Sequence, residues 1–430
     1  MFHIELVEID GFWEKHKIRT KFYPDANIFI GKNGTGKTTF MNLLQAALRA
    51  DLEILQSLDF TKITIRLSDY KRIRTISITR ENTVDEPFET AIYKIGRRKF
   101  TVPLVPRDPA GRRFRMARSL REQYSELKEQ IGSLVNVSSL SVHRIAYDAA
   151  IEEDYFLPRT KRKIRRSPID ERLEELINDL TSYQLSLAEK ANEVSSKFQK
   201  EVLVSMLYDE KFDNFEIEKA WNIELSKEKD ELSKAYKELG AWDKKISKKI
   251  EEHVAALNRS LDNIRIFKDG EDSYTINLND ILPIPLLRRT QHIINLSLDA
   301  EKQKQSISRP IRQFVQLIGD FMEDKSLQIN PSNGEITVKK GKKDIDLFDL
   351  SSGEKQLLIL LVETLLQKNQ PFIFLADEPE ISLHIEWQAK VISSIRQLNF
   401  EAQVIVATHS PEIAGSWKGN VINMEDIISE

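Results

Sequence analysis

The stretch Gly31-Lys32-Asn33-Gly34-Thr35-Gly36-Lys37-Thr38 fits the phosphate-binding pattern G-x-x-x-x-G-K-[ST]. An apolar run at residues 28–30 precedes it and predicts a buried strand, and residues 38–44 follow with apolar side chains at helical spacing. Glycines let successive backbone N–H groups point at phosphate oxygens, and the new helix adds the positive end of its dipole. The sequence therefore predicts a site for nucleotide phosphates at the start of this helix.

Two side chains of this loop carry the expected chemistry. Lys37 is predicted to reach the β- and γ-phosphates, and Thr38 is predicted to hold Mg²⁺. The residues predicted to contact the nucleotide here are Asn33, Gly34, Thr35, Gly36, Lys37, Thr38 and Thr39.

The composition limits the classes of protein to which the chain can belong. Its 430 residues include no cysteine, which excludes disulfides, thiolate nucleophiles and cysteine-based metal sites. A net charge of −3 argues against a polycation that coats nucleic acid along its whole length. The first residues lack a signal-peptide pattern, and no stretch approaches the ~18 consecutive apolar residues of a membrane span. We therefore expect a cytoplasmic protein with no membrane contact.

Strand patterns surround the phosphate loop. Residues 4–9 and 16–22 predict two strands ahead of it. Four runs with period-two alternation predict an antiparallel meander after it: residues 63–67, 74–79, 91–95 and 100–104. Phe12 and Trp13 either lie against an adenine ring or, as we favour, belong to the core.

The middle of the chain is predicted to be helical. Over residues 170–323 charges are dense, glycine is rare, and apolar residues recur every three or four positions. The spacing is close to a heptad between about 215 and 264, where an unbroken helix would be about 75 Å long. Gly240 is the expected interruption, and residues 281–285 are expected to be a connector. Residues 327–338 then predict a β-hairpin.

Three further motifs lie in the C-terminal part. Ser351, Ser352, Gly353 and Glu354 open a strongly apolar helix, where hydroxyl and N–H groups either cap the helix or meet an anion. An apolar strand at 372–376 runs into Asp377, predicted to hold Mg²⁺ through water, and Glu378, predicted to polarise the attacking water. A second apolar strand, at 404–407, is followed by Thr408 and His409. A lone histidine is more often structural, but here it closes an ordered set of motifs, and its ring is predicted to touch a γ-phosphate.

In this order the motifs resemble those of the ABC-class ATPases of the SMC, RecF and OLD group. The matching elements are the phosphate loop, the signature LSSGEKQ, the Walker B segment LADEPE, the D-loop ISLH and a switch histidine in THS. The resemblance covers residues 1–60 and 345–425. The stretch DEPEISLHIEWQ looks most similar to OLD-like ATPases of bacterial antiphage systems, such as the AriA subunit of PARIS and the PtuA subunit of Septu.

The resemblance implies an α/β fold: an ABC-type P-loop ATPase head with an antiparallel β-subdomain and a helical, partly coiled-coil insertion. The two halves of the head are expected at residues 1–155 and 326–430, with the insertion at 156–325. ATP and Mg²⁺ are the implied cofactors. The implied catalytic residues are Glu378, His409 and Lys37, and the implied metal ligands are Thr38 and Asp377.

The family resemblance also implies that the partner is a second copy of the same chain. In it, the signature of one protomer closes over the ATP of the other. Ser351, Ser352, Gly353 and Glu354 would therefore act in trans in a head-to-tail homodimer, with assembly into a larger ring left open.

Three functions fit these motifs. We favour an ATPase switch and scaffold, in bacterial antiphage defence, that senses a trigger and controls a separate nuclease effector, because only residues 411–430 follow the switch histidine. The second is a RecF-like DNA-repair ATPase that clamps DNA on ATP-dependent dimerisation. The third is a scaffold that binds ATP without hydrolysing it.

Two surfaces are candidates for recognition. The helical insertion is the expected docking site for the effector. Basic clusters at 97–121 and 159–166 either hold DNA or a DNA-mimicking phage protein as the trigger, or form an ordinary solvated face. No clear Q-loop is present, and His143 and Arg144 are the candidates for sensing the γ-phosphate or the partner chain.

Overall fold

A computed structural model describes residues 2–82, 88–104, 118–141, 167–209, 225–268 and 283–429. The chain divides into two compact units, Met1–Tyr183 with Pro310–Glu430, and Gln184–Arg309. The division at residues 155–156 and 325–326 that the family resemblance implies stays a proposal beside these units. His143, Arg144, the cluster at 159–166 and residues 105–117 of the first cluster lie outside the described residues.

Strands and α-helices have the following bounds. The strands are β1 (His3–Phe12), β2 (His16–Lys21), β3 (Ala26–Ile30), β4 (Lys62–Ser68), β5 (Ile73–Glu81), β6 (Thr90–Ile95), β7 (Arg98–Pro103), β8 (Val137–Ser141), β9 (Ser326–Ile329), β10 (Ile336–Lys340), β11 (Lys343–Ile345), β12 (Phe372–Asp377), β13 (Ala402–Ala407), β14 (Val421–Asn423) and β15 (Ile428–Ser429). The helices are α1 (Lys37–Arg49), α2 (Leu52–Ser57), α3 (Arg118–Leu134), α4 (Pro168–Ser205), α5 (Leu225–Glu238), α6 (Lys244–Lys268), α7 (Pro283–Phe321), α8 (Ser352–Leu366), α9 (Ile385–Leu398), α10 (Pro411–Ala414) and α11 (Met424–Ile427).

The predicted meander is confirmed as part of a larger antiparallel sheet. Its strand order is β15-β2-β1-β4-β5-β6-β7. Alternate residues of β4, namely Ile63, Ile65 and Leu67, are fully buried, as the period-two pattern predicts. The sequence did not show that β1 joins this sheet, where Ile9 pairs with Ile63 of β4.

A parallel sheet of five strands carries the motifs. Its order is β14-β3-β13-β12-β8, and every neighbouring pair is parallel. Strands β3, β12 and β13 are buried almost throughout, which explains their continuous apolar runs. Because parallel strands end at the same edge of a sheet, the phosphate loop after β3 meets the motifs after β12 and β13.

The two sheets share one hydrophobic core with α1. Phe40, Leu43 and Leu44 of α1 belong to the same buried cluster as Ile63 of the antiparallel sheet and Ile405 of the parallel sheet. The helix that begins at the phosphate loop is therefore fixed on both sides.

Gln403 links the sheets through its buried amide. Its Oε1 accepts a hydrogen bond from the Ile4 N–H (2.7 Å), and its Nε2 donates to the carbonyl oxygens of Ile4 and Tyr23 (2.8 Å each). The side chain is thus fully paired although it is 1% exposed. It joins segments that are 399 residues apart in the chain.

The hairpin predicted at 327–338 is confirmed as β9 and β10, and β11 adds a third strand that was not predicted. In the second unit, α5 ends at Glu238 and α6 begins at Lys244. Gly240 between them has φ +67°, so the predicted interruption is confirmed. No helix within the described ranges is long and apolar enough to cross a membrane.

The expected connector at 281–285 is wrong from residue 283 onward. Helix α7 begins at Pro283, because proline lacks only an N–H that has no partner in the first turn of a helix.

Candidate nucleotide-binding site

The phosphate loop runs from the end of β3 at Ile30 to the start of α1 at Lys37. Gly36, the N-cap, has φ +88°, and a Cβ there would lie 2.8 Å from the Phe12 ring. Only glycine fits a position that is both left-handed and crowded. Within the described part of the chain no side chain caps α1, so its first N–H groups are free to meet an anion.

Lys37 is folded back onto the loop. Its Nζ donates to the carbonyl oxygens of Gly31 (2.9 Å) and Lys32 (3.1 Å), and the residue is 5% exposed. Burial lowers the pKa of the Lys37 ammonium, and the negative charges of Glu378, Asp377 and Glu380 oppose that shift. A cation is thus held where the phosphates are expected, with carboxylates facing it.

A cavity of about 710 Å³ lies over the loop, a size that suits a nucleotide. Its lining residues follow the ends of four strands, β1, β3, β12 and β13. They are Trp13, Asn33, Gly34, Gly36, Lys37, Thr38, Thr39, Glu378 and His409. Phe12 and Trp13, the two aromatic residues at the end of β1, have different environments. Phe12 is fully buried in the core, whereas Trp13 is 39% exposed and forms part of the wall.

The two predicted acids follow β12. Asp377 is its last residue, and Glu378 donates its N–H to the Ala407 carbonyl oxygen (2.8 Å) of the neighbouring strand β13. Glu378 has φ +48°, a left-handed conformation that costs a non-glycine residue about 1–2 kcal/mol. This backbone turn leaves Glu378 Oε1 3.8 Å from His409 Nε2. The structure therefore brings together the predicted base and the switch histidine.

Glu380 is a polar residue of this site that the sequence analysis did not single out. Its Oε1 accepts hydrogen bonds from Thr408 Oγ1 (2.5 Å), the His409 N–H (2.9 Å) and the Ser410 N–H (3.2 Å). The available signal was a third acid, two residues after Glu378, in a segment that already held two functional carboxylates.

The signature motif begins α8. Ser351 is its N-cap: Ser351 Oγ accepts from the Glu354 N–H (3.4 Å), and Glu354 Oε2 accepts from the Ser351 N–H and hydroxyl (2.8 Å each). Glu354 Oε1 is paired with Lys325. Burial acts to raise the pKa of Glu354, but the bonds from Lys325 and Ser351 outweigh it and lower the pKa. Both oxygens of Glu354 are therefore engaged within the chain.

The signature does not meet the phosphate loop of its own chain. Within the described residues it contributes nothing to the cavity lining, while Ser351 and Ser352 are exposed. Gly353 packs against the D-loop, where an added Cβ would collide with the Ser382 carbonyl oxygen. Gln356 donates to the Pro379 carbonyl oxygen (3.3 Å). Gly353 and Gln356 of the motif are therefore packed against the segment 379–382, while Ser351 and Ser352 face solvent.

Helix α8 is also tied to α4 at two places along its length. Lys355 pairs with Asp170 (2.7 Å), and Arg172 pairs with the buried Glu363 (2.5 Å). Ser138 donates a further bond to Glu363 (3.0 Å). These contacts fix α8 against α4 and β8.

A family model described as an AAA ATPase domain matches residues 3–414. The chain belongs to the AAA ATPase domain family. This membership confirms the ATPase class that the motifs predicted. The particular similarity to AriA and PtuA stays a prediction.

Two curated relatives of this AAA ATPase domain protein are similar over short segments. The Retron Ec83 probable ATPase of Escherichia coli is 31% identical over 99 residues, which are 20% of this chain and 18% of that protein. The Retron Vc95 probable ATPase of Vibrio cholerae serotype O1 biovar El Tor is 28% identical over 121 residues, 26% of this chain and 23% of that protein. The chain therefore spans about a fifth of the length of these relatives.

The solved structures that are similar to this chain include two SMC head domains. The Smc head domain of Pyrococcus furiosus, with an extended coiled coil and bound to the C-terminal domain of ScpA, is 16% identical with a TM-score of 0.43, covering 98% of this chain and 93% of that one. The SMC head domain from Thermotoga maritima is 10% identical with a TM-score of 0.39, covering 96% and 91%.

Proposed function

We propose that the chain hydrolyses ATP at the cavity over the phosphate loop. The observation that carries this proposal is the meeting of Lys37, Glu378 and His409 from three strand ends on one cavity. In this site Lys37 binds the β- and γ-phosphates, Glu378 accepts the proton of the attacking water, and His409 contacts the γ-phosphate.

The donors beside the loop fit Mg²⁺. Thr38 lines the cavity, and Asp377 lies near enough for its charge to act on Lys37. Hydroxyl and carboxylate oxygens are the ligands that Mg²⁺ prefers, so these two residues would hold it. The chemistry that the ion supplies when bound is neutralisation of charge on the phosphate oxygens.

We propose further that two chains form a head-to-tail sandwich around two ATP molecules. This is supported by the exposed Ser351 and Ser352, which lie away from the cavity of their own chain. Hydroxyl groups at a helix start suit phosphate oxygens, so a second chain would complete each site.

Ser352→Arg is expected to keep the monomer fold and ATP binding but to stop hydrolysis, because a bulky cation would block the contact with the partner's ATP. Phosphate release and ATP affinity measure this. Ser133→Arg, the same change at another exposed serine, is the control and should hydrolyse normally. Full activity of Ser352→Arg would contradict the sandwich.

Mixing Ser352→Arg with Lys37→Ala tests action in trans. One of the two sites in a mixed dimer joins an intact phosphate loop to an intact signature. Recovered hydrolysis would place the signature in the partner's site, provided that single sites can act alone.

We propose that this ATPase is the switch and scaffold subunit of a bacterial antiphage defence system and controls a separate nuclease. Support comes from the OLD-like motifs and from the two retron ATPases among its relatives. The compact helical unit Gln184–Arg309 is the proposed docking site for the effector. The basic clusters are the proposed site for a DNA or DNA-mimicking trigger.

Purification of the tagged protein from its native operon is expected to recover a neighbour-encoded protein with it. The Glu378→Gln variant should retain more of that partner, because it stays in the ATP-bound state. Recovery of the chain alone in both cases would contradict the scaffold role. ATP-dependent DNA binding in that preparation would then favour the RecF-like function.

A further inference from the structure

Glu380 holds the turn that carries the switch histidine. One carboxylate oxygen, Oε1, accepts three hydrogen bonds from three consecutive residues, Thr408, His409 and Ser410. Two of the donors are backbone N–H groups, so the carboxylate fixes the course of the main chain and not merely one side chain. Bonds to an ionised acceptor are about twice as strong as neutral ones.

A second side chain closes the same turn. Gln388 of α9 accepts from the Ser410 hydroxyl (2.7 Å) and donates to the Leu383 carbonyl oxygen (3.0 Å) in the D-loop. The turn 408–410 is therefore tied to the segment 380–383 at both of its ends. Thr408 at its start is completely buried.

This turn determines where the His409 ring lies. The ring leaves the backbone between two residues that are anchored to Glu380, and its Nε2 is 3.8 Å from Glu378 Oε1. Glu378 is itself anchored to the same strand end through its bond to Ala407. Loss of the Glu380 carboxylate would free the histidine side of this pair while leaving the glutamate side in place.

Glu380 also influences the phosphate site through its charge. Oε2 is buried and accepts no hydrogen bond from any of the described residues. Burial of a carboxylate with one unpaired oxygen costs free energy. The charge of Glu380 also acts on Lys37, so it is felt inside the phosphate site.

We propose that Glu380 is a positioning residue for ATP hydrolysis, whose carboxylate fixes the turn 408–410 and thereby places the His409 imidazole beside Glu378. This assignment rests on the proposed function, since it gives Glu380 a part in the same ATPase site. Glu380 does not contact the reacting atoms; it acts through His409.

The test compares two substitutions. Glu380→Ala removes the acceptor, and kcat should fall about 10- to 100-fold, because small misplacement of a catalytic group has effects of that size. KM for ATP should stay within about twofold, since the phosphate loop is untouched. Glu380→Gln keeps an acceptor oxygen of the same reach, so it should recover most of kcat. Glu401→Ala, an exposed acid just before β13, is the matched control.

A double-mutant cycle separates positioning from stability. If Glu380 acts through His409, Glu380→Ala should slow the His409→Ala enzyme by no more than about twofold. Wild-type kcat in Glu380→Ala, or losses that multiply in the double variant, would overturn the proposal. If Glu380→Ala does not fold, Glu380→Asp keeps the charge but shortens its reach, and wild-type kcat there would overturn it equally.

Wild-type and Lys37→Ala proteins measured beside these variants keep the two ideas apart. Phosphate release by the wild type, lost in Lys37→Ala but normal in Glu380→Ala, would defeat the Glu380 assignment alone. No phosphate release by the wild type would defeat the proposed function, and the assignment with it.

Discussion

Lys37→Ala is expected to abolish ATP binding. The Lys37 ammonium is the buried cation of the phosphate loop, and its Nζ now bonds two loop carbonyl oxygens that phosphate oxygens would replace as partners. Each hydrogen bond to a charged group contributes about 1.5–3 kcal/mol, so the dissociation constant should rise about 100-fold or more. Calorimetric titration with ATP and Mg²⁺ measures this.

Lys21→Ala, which removes an exposed lysine of β2, is the control and should bind ATP as the wild type does. Because the Lys37 side chain also bonds the loop, thermal unfolding without nucleotide should be measured for both variants. Normal ATP affinity in a folded Lys37→Ala protein would contradict the assignment of this cavity as the nucleotide-binding site.

Glu378→Gln is expected to bind ATP normally and to lose hydrolysis by about 10²- to 10⁴-fold. Glutamine has the same size but cannot accept the proton of the attacking water. The left-handed backbone at this position, φ +48°, is unfavourable for glutamate and glutamine alike, so the substitution adds no backbone strain. The variant should therefore accumulate an ATP-bound dimer, detected by light scattering with and without ATP.

Measurement of phosphate release by the wild type and by Glu378→Gln tests the role of Glu378. Turnover at the wild-type rate in Glu378→Gln would show that another group accepts the proton. Release by the wild type that is lost in this variant would exclude the third function, a scaffold that binds ATP without hydrolysing it. Glu401→Gln, an exposed acid near the opposite end of the same sheet, controls for the loss of one charge.

Features that depend on neighbouring residues in the chain were predictable. The phosphate loop needs glycine where φ is positive, a strand before it and a helix after it, and all three leave a local pattern. The break at Gly240 was predictable for the same reason, because glycine favours a left-handed turn. The start of α7 at Pro283 was not, since a proline pattern alone does not distinguish a helix start from a connector.

Features that depend on distant residues were not predictable. Glu380 accepts hydrogen bonds from residues 28 to 30 positions away, and Gln403 bonds Ile4 across almost the whole chain. The sequence on either side of Glu380 or Gln403 gives no indication of such a bond. Motif order predicted that Lys37, Glu378 and His409 meet, but it did not show which side chains hold them in place.

The strand order of the parallel sheet has a consequence for the time at which the site can form. Strand β3, which leads into the phosphate loop, is hydrogen-bonded to β13 on one side and to β14 on the other. Ribosomes add about 5–20 residues per second, so residues 404–407 emerge about 20 to 70 s after the loop itself. A nascent chain therefore carries the phosphate-loop sequence before the strands that flank β3 exist. We therefore expect the nucleotide site to form only after the ribosome has made β13 and β14.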